Sequence, residues 1–533
     1  MKRNLSLIIF FSIITTSLIY GQATSAEKGL DAITSNAIKA QLNFLSSDWT
    51  EGRQAGEKGE YISADYIASM LQLYGVKPGG DHLAAKEMTN NFWENERSYF
   101  QNFILLKSVT GDQQILKVKT SEGKMVRTIN FTYNVDFLTR ASSQEMEIDA
   151  PVVFAGYGFK SDKFKYNDFN KLDVKGKFIL RISDFPEFVK ESLSTSELTA
   201  AAKEMEAMYR TMGAIGVIDF NPESKTIGKP EEKDFLNMSP SEEVPRPWNP
   251  DTRLTIPSKN TPDSFIKISV SVKTANEILK GTGNNIDDYI KKADTNVPYF
   301  ISPLAGKTVY IKTDVRNTQV AVRNIIGIIE GNNPDQVIVV GAHYDHMGIH
   351  NGYIWNGADD NGSGTVGVMT IAKAIMETGK KPDKTIVIAL WAAEEPGLLG
   401  SRYWIRNPTV PLKSVKLNVN FDMISRYISD LEPNNVSLTY NDSYPMFKEM
   451  TLANLNKYGI DLNVDFQPSN DPPGGTDHRA FVEAGIPVMR FKPGHRDEYH
   501  TPKDEIGTIN WDIMEKIIRI SFTNVWELAN KEW

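Results

Sequence analysis

Beyond residue 307, short apolar runs rich in β-branched residues alternate with amphipathic segments of helical period. The runs fall at residues 337–341, 385–391, 417–421 and 487–491, and the clearest helical segment between them covers residues 364–377. This alternation predicts an α/β domain, in which crossover helices cover both faces of a largely parallel sheet. Ligands of such sheets bind beyond the carboxyl ends of the strands, so those ends are where functional residues are expected.

The chain of 533 residues is too long for one hydrophobic core, which predicts at least two domains. Helical apolar spacing near the start predicts helices over residues 36–45 and 57–74. Between residues 100 and 300 the apolar runs are short and bounded by Gly, Pro, Asn and Asp, which predicts a β-rich region with one helix near 199–211. The polar, proline-rich stretch 223–257 is interpreted as a surface excursion.

The first 26 residues have the pattern of a secretory signal peptide. Lys2 and Arg3 precede an apolar run of sixteen residues, 5–20, and small residues that follow offer cleavage after Ala23 or Ala26. The run is shorter than the roughly 20 residues that span a bilayer. We therefore expect an exported protein, periplasmic or secreted, without stable membrane insertion after cleavage; an uncleaved anchor is the alternative.

Charge and cysteine content exclude several classes of function. The 67 acidic residues outnumber the 59 basic ones, and no stripe of Lys and Arg stands out, so nucleic acid is not an expected partner. The absence of cysteine excludes disulfides, thiolate metal sites, iron–sulfur clusters and a cysteine nucleophile.

Titratable residues collect behind the predicted strands of the α/β domain. Six of the seven histidines lie between residues 343 and 500, together with the acidic pairs 359–360 and 394–395 and with Asp422. Imidazole and carboxylate groups are zinc ligands, and two ions close together need a shared carboxylate to offset their repulsion. In the pair Glu394-Glu395, one glutamate could bind metal while the other accepts a proton from the attacking water.

Five segments that carry these residues, 342–348, 357–364, 391–401, 420–423 and 499–504, resemble the M28 family of zinc peptidases. That family includes aminopeptidases and the glutamate carboxypeptidase II group. The resemblance implies a three-layer α/β/α sandwich with a mixed central sheet, and two Zn²⁺ ions per chain. The zinc ligands that it implies are His343, Asp359 as the bridging carboxylate, Glu395, Asp422 and His500.

Further roles are also implied by the resemblance. Glu394 matches the general base, and Asp345 matches an acid that orients the first zinc-binding imidazole. The family often has a cis peptide bond after the bridging aspartate, which would be Asp359–Asp360. Tyr499, Asp477 and His478 match positions at the substrate-binding rim, whereas His346, His350 and His495 are interpreted as mostly structural.

The middle of the chain also has a relative. Residues 150–158, 172–177 and 213–218 resemble the protease-associated (PA) domain that is inserted into many of these peptidases. We therefore divide the chain into a signal peptide (1–26), a first part of the catalytic domain (27–140), a PA insert (141–300) and the main catalytic M28 part (301–533).

The expected function is that of an exported dizinc exopeptidase acting on peptides or proteins. Acidic residues adjoin the ligand motifs more closely than arginines do, although Arg426 or Arg490 could point inward, so we expect trimming from the amino end. The alternatives are a carboxypeptidase, a glutaminyl-cyclase-like transferase and a receptor-like protein that has lost catalysis. The complete ligand set argues against the last of these.

Overall fold

The computed structural model describes residues 24–83, 97–139, 144–223, 227, 252–257, 265–297, 299, 301–350, 352–427, 431–494 and 496–533. The apolar run of the predicted signal peptide, His495 and most of the excursion 223–257 lie outside these residues.

The predicted helices are present, with boundaries within a few residues of those expected. Residues 364–377 form a helix with the predicted bounds, and the helix near residue 199 begins four residues earlier, behind a Ser194–Glu197 capping box. The helices are α1 Ser25–Asp31, α2 Ser35–Leu45, α3 Lys58–Leu73, α4 Glu187–Lys190, α5 Thr195–Thr211, α6 Val272–Leu279, α7 Ile286–Ala293, α8 Gly364–Glu377, α9 Leu399–Arg406, α10 Met446–Tyr458, α11 His478–Glu483 and α12 Trp511–Asn530.

The strands lie where the apolar runs predict them, and several are longer than predicted. They are β1 Lys77–Pro78, β2 Phe100–Thr110, β3 Ile115–Glu122, β4 Met125–Phe131, β5 Phe137–Thr139, β6 Met146–Phe154, β7 Lys160–Ser161, β8 Tyr166–Asn167, β9 Phe178–Ile182, β10 Gly216–Phe220, β11 Thr252–Thr255, β12 Ile266–Val270, β13 Lys307–Thr313, β14 Val315–Ile329, β15 Asn333–His343, β16 Gly348–His350, β17 Tyr353–Trp355, β18 Lys384–Trp391, β19 Val415–Phe421, β20 Asn435–Asn441, β21 Asn463–Ser469 and β22 Val488–Lys492.

The larger sheet is mixed, as predicted. Its described strands run in the order β11-β2-β14-β18-β15-β19-β22-β20-β21, and β1 pairs with β14 at one side. The central strands β18, β15, β19 and β22 are parallel, whereas β2 and β14 pair antiparallel at one end and β20 pairs antiparallel with β22.

Both faces of this sheet are covered by helices, because successive side chains of each central strand enter opposite cores. On β15, Ile338 and Val340 pack into the core formed with α2, α3, α8 and α12, whereas Val337 and Val339 face the core of α9 and α11. Complete burial of such side chains contributes roughly 1.5–3 kcal/mol each. The predicted three-layer α/β/α arrangement is therefore confirmed.

A second sheet has a hydrophobic core of its own. Its described strands run in the order β4-β3-β13-β6-β9-β10-β12-β5, packed with α5, α6 and α7. It is built from the stretch of chain between β2 and β14, two strands that pair directly; β11, from the same stretch, pairs with β2 in the larger sheet. The sheet thus includes β3, β4, β5 and β13, which lie outside the range 141–300 predicted for the insert.

Among the described residues, no helix combines the length and the apolar character needed to cross a bilayer.

Candidate active site

The carboxyl ends of the parallel strands bring the predicted site residues together. His343 is the last residue of β15, Glu394 and Glu395 follow β18, Asp422 follows β19, and His500 lies on the loop after β22. The backbone of Ala393, Met423 and His500 has φ near +55°, a conformation that non-glycine residues rarely adopt. The chain thus turns sharply next to three of these functional positions.

Asp360 lies between His343 and His500. Its Oδ1 atom is 3.5 Å from Nε2 of His343, and Oδ1 of Asp422 is 3.6 Å from the same nitrogen. Ligand atoms that are each about 2.1 Å from one tetrahedral zinc ion lie about 3.4 Å from one another. His343, Asp360 and Asp422 therefore have the spacing of a metal-binding group.

A second group surrounds the other oxygen of Asp360. His500 Nε2 is 2.9 Å from Asp360 Oδ2 and 3.4 Å from Glu395 Oε2, and His346 Nδ1 is 2.8 Å from Glu395 Oε1. His346, Asp360 and Glu395 also satisfy the spacing of a metal-binding group. Asp360 thus belongs to both groups, as a bridging carboxylate must.

The family resemblance implies Asp359 as the bridging carboxylate, one residue before the aspartate that both groups share. The Oδ1 atom of Asp359 instead accepts hydrogen bonds from the Ser425 backbone N–H (3.0 Å) and from the hydroxyls of Ser425 (2.6 Å) and Ser363 (3.0 Å). The two adjacent side chains point to different sides of the turn, a distinction that the motif alone does not make. The cis peptide bond also lies one residue later than predicted, at Asp360–Asn361.

The donor set fits zinc. His343 Nδ1 faces the carbonyl oxygen of Asp345 at 3.2 Å, and a carbonyl can only accept, so Nδ1 carries a proton and Nε2 points to the carboxylates. Asp422 Oδ1, His346 Nε2 and His500 Nδ1 are buried, and none of them has a hydrogen-bond partner among the described residues. Buried carboxylates and imidazoles in this arrangement need cations to balance their charge.

Asp345 supports both the histidine and the glutamate pair. Its carboxylate accepts hydrogen bonds from the backbone N–H groups of Glu394 (2.9 Å) and Glu395 (3.3 Å), and its Oδ1 lies 3.7 Å from Nδ1 of His343. The predicted orienting role therefore includes the turn that holds both glutamates.

The two neighbouring glutamates have opposite electrostatic environments. Burial raises the pKa of Glu394 well above its ordinary value, although His343 opposes this. For Glu395, burial also acts to raise the pKa, but hydrogen bonds from His346 and His500 hold it well below its ordinary value. The surroundings of the two glutamates therefore favour opposite protonation states. The Glu394 carboxylate has no hydrogen-bond partner in the described part of the chain.

Three residues that contact the candidate ligands or hold their turns were not predicted to have such a role from the sequence. His346, interpreted as structural, contacts Glu395; its place in the same motif as His343 was the available signal. Asp504 accepts hydrogen bonds from the backbone N–H groups of Asp359 and Asp360 (2.9 Å each). Arg426 donates to Asp504 (2.9 Å), which ties the loop after β19 to the Asp360 turn.

The predicted substrate-binding residues have different surroundings. Tyr499 lines the cavity above the metal-binding groups, and its ring stacks on that of His500 with centroids 3.9 Å apart. Asp477 and His478 are completely buried, and His478 Nε2 contacts the carbonyl oxygen of Pro473 at 3.1 Å. His478 thus contacts the cavity-lining loop 473–476, and neither residue lines the cavity itself.

Comparison with known proteins identifies this region. The sequence profile of Peptidase family M28 matches residues 324–525, which contain the whole set of candidate ligands. Residues 324–525 are an M28 peptidase domain. The predicted resemblance to this family is thereby confirmed.

Curated relatives share this domain. Leupeptin-inactivating enzyme 1 of Streptomyces exfoliatus is 34% identical over 166 residues, which are 31% of this chain and 34% of the relative. Leucine aminopeptidase 2 of Trichophyton rubrum is 33% identical over 168 residues, 31% of this chain and 32% of the relative. A glutamate carboxypeptidase 2 homolog of Caenorhabditis elegans is 28% identical over 279 residues, 46% of this chain and 35% of the relative. This chain spans about a third of the length of each.

Similarity to solved structures extends over nearly the whole chain. An aminopeptidase from Aneurinibacillus sp. strain AM-1 aligns with 95% of this chain and 97% of its own, with a TM-score of 0.56 and 16% sequence identity. At that identity the comparison concerns the fold, which the two chains share.

Proposed function

We propose that this chain is a zinc-dependent exopeptidase that hydrolyses peptide bonds, with two Zn²⁺ ions per chain and trimming from the amino end. The observation that carries the proposal is the position of Asp360, shared by two metal-binding groups, beside a glutamate that neither group uses. Paired metal sites that share a carboxylate are typical of hydrolytic enzymes.

The residues divide between two metal positions. His343 and Asp422 would hold one ion and Glu395 and His500 the other, with Asp360 serving both. Zinc bound there would polarise the scissile carbonyl and lower the pKa of a water molecule. Tyr499 lies at the cavity wall, where its hydroxyl could support the carbonyl oxygen of the substrate.

Glu394 is the group that we assign to proton transfer. Its carboxylate lines the cavity, and Asp345 fixes the backbone of its turn. A raised pKa suits a group that takes a proton from the attacking water and then donates it to the leaving amine. Glu395 is excluded from this role by its contacts with two imidazoles.

Amino-end trimming is supported by the acidic side chains at the cavity and by the names of the aminopeptidase relatives. A free ammonium group is stabilised beside carboxylates, whereas a carboxypeptidase needs a cation for the terminal carboxylate. The second candidate is a carboxypeptidase, because Arg490 lines the same cavity.

Blocked peptides test the direction of attack. The zinc-loaded protein is incubated with a tetrapeptide in four forms: free, N-acetylated, C-amidated and blocked at both ends. We expect N-acetylation to abolish cleavage and amidation to leave it largely intact, as followed by mass spectrometry. The opposite pattern would establish a carboxypeptidase, and no cleavage of any form would refute the peptidase assignment.

Export and the PA domain are further parts of the proposal. Thr24 caps α1 in a capping box with Glu27, and Ala26 is buried in the core. Cleavage after Ala23 would leave this helix whole, so we propose that site in preference to Ala26.

The separate core of the second sheet supports the assignment of a PA domain to the insert.

A further inference from the structure

One wall of the cavity is a polar face of the larger sheet. Arg490 and Lys492 of β22 line the cavity together with Ser437 and Thr439 of β20 and Gln467 of β21. Thr439 pairs directly with Arg490, and Ser437 pairs with Lys492. The alternate residues Leu438, Met489 and Phe491 belong to the hydrophobic core. The strand period of two therefore places a polar row toward the cavity.

Arg490 is a buried arginine at the cavity wall. Only 7% of its surface is exposed, its Nε atom has no hydrogen-bond partner, and no hydrogen bond or ion pair of its guanidinium occurs among the described residues. By contrast, the buried Arg53 donates to four backbone carbonyl groups, and Arg426 is paired with Asp504. A buried guanidinium without hydrogen bonds is costly unless a ligand satisfies it.

The loop over Arg490 leaves room for it. Gly474 has φ of +117°, and a Cβ atom at this position would lie 2.5 Å from Nη1 of Arg490. A larger residue at position 474 would displace the guanidinium of Arg490. The glycine therefore leaves room for that guanidinium at the cavity wall.

Lys492 adds a second positive charge beside the first. Burial, and then the charge of Arg490, lower the pKa of Lys492, so the two cations repel each other. No hydrogen bond or ion pair of the Lys492 ammonium group occurs in the described part of the chain. An anion placed between the two groups would remove that repulsion.

The carboxylates that line the cavity do not form ion pairs with these two cations. Asp360, Asp422 and Glu395 belong to the metal-binding groups, and no ion pair of any of them with Arg490 or Lys492 occurs among the described residues. Two cations thus stand unpaired on the polar wall, opposite the carboxylates of the metal-binding groups.

We infer that Arg490 and Lys492 form a subsite for a carboxylate of the substrate, beside the cleaved bond. The inference rests on the proposed peptidase function and names its substrate class: peptides with an acidic side chain near the cleaved bond, or short peptides whose free C-terminus reaches the subsite. Both sources present the same group, and Arg binds it in bidentate fashion. The polar wall disfavours a large apolar side chain at this position.

Matched peptides separate the two sources. The side-chain arm compares Glu-Ala-Ala-amide with Gln-Ala-Ala-amide, and Ala-Glu-Ala-amide with Ala-Gln-Ala-amide. The terminus arm compares Gln-Ala with Gln-Ala-amide. Each pair differs in one carboxylate, and kcat/KM is measured for the zinc-loaded wild type, Arg490→Gln, Arg490→Lys and the control Arg406→Gln. Arg406 is exposed and does not line the cavity.

We expect at least about a tenfold preference for the carboxylate in one arm. Arg490→Gln should reduce that preference to below about threefold, Arg490→Lys should retain part of it, and Arg406→Gln should retain all of it. Equal rates within every pair, or an unchanged preference in Arg490→Gln, would overturn the inference and leave the peptidase function intact.

Binding measurements keep the inference testable if no peptide is cleaved. The same pairs are titrated into zinc-loaded Glu394→Gln by calorimetry, with and without Arg490→Gln. Tighter binding of the carboxylate peptide that depends on Arg490 would support the subsite even if the proposed hydrolysis failed. Equal affinities within each pair would refute it.

Discussion

The Nε2 atom of His500 lies 2.9 Å from the Oδ2 atom of Asp360, on the side of that carboxylate opposite His343. One side chain thus faces imidazoles that come from two distant parts of the chain. Asp504 maintains this arrangement by accepting hydrogen bonds from the backbone of the Asp360 turn. The first two predictions follow from it.

Asp360→Asn should bind metal much more weakly than Asp359→Asn. Asp360 belongs to both metal-binding groups, whereas Asp359 is held by serine hydroxyls and lies outside them. Zinc content after dialysis, measured by elemental analysis, should fall well below that of the wild type only in Asp360→Asn. Equal zinc loss in both variants would mean that the turn as a whole, and not the shared carboxylate, holds the metals.

Glu394→Gln and Glu395→Gln should fail in different ways. The first should retain its zinc and lose about 10²–10⁴-fold in turnover, which is the usual contribution of a general base. The second should lose zinc, since Glu395 contacts His346 and His500 at the second group. Zinc loss in Glu394→Gln with activity preserved would show that the two roles are reversed.

His346→Gln should weaken zinc binding at the second group by about 10–100-fold. The His346 imidazole contacts Glu395 Oε1 at 2.8 Å and is buried against the backbone of Gly357. A chelator competition with the zinc-loaded protein measures the affinity, and His350→Gln is the control, because His350 Nε2 contacts the Met347 carbonyl oxygen and His350 belongs to neither metal-binding group. Unchanged zinc affinity in His346→Gln would leave this histidine with a packing role.

Glu60 should make the folded state less stable as pH rises from about 5 to 8. Burial raises the pKa of Glu60 from 4.5 to about 8. Tyr344 has one hydroxyl proton and lies 2.7 Å from the Arg323 carbonyl oxygen and 3.0 Å from Glu60 Oε1, so a protonated Glu60 completes the network. Between the two pKa values the folded state holds a proton that the unfolded chain releases, and stability therefore falls with pH.

Glu60→Gln tests this dependence. The free energy of unfolding of Glu60→Gln and of the wild type is measured by urea denaturation at several pH values. Between pH 5 and 8 the difference between them should change in favour of Glu60→Gln by up to several kcal/mol, since each unit of pKa shift corresponds to about 1.4 kcal/mol. Glu57→Gln, an exposed control on the neighbouring turn, should follow the wild type. A constant difference between Glu60→Gln and the wild type would contradict a raised pKa.

Local sequence patterns were sufficient to predict the α/β class, the main strands and the strand ends that carry the site. Apolar periodicity is a local property, and residues 364–377 and 385–391 show it clearly enough to set element type and nearly set the boundaries. The Glu394-Glu395 pair, Asp422 and His500 could be predicted to lie together because their motifs follow strands whose ends meet at one edge of a parallel sheet, whereas their individual roles were implied by the family resemblance.

Tertiary structure alone decided between adjacent residues. Asp359 and Asp360 are chemically identical neighbours, and only the hydrogen bonds of Asp359 to Ser425 and Ser363 fix which of the two faces the histidines. The same limit applies to Arg426 and Arg490, both named as arginines that could point inward. Asp504 forms an ion pair with Arg426, whereas Arg490 is buried at the cavity wall, where no described residue makes a hydrogen bond or ion pair with its guanidinium. Side-chain direction at a turn or a cavity wall depends on residues distant in sequence, which local pattern does not encode.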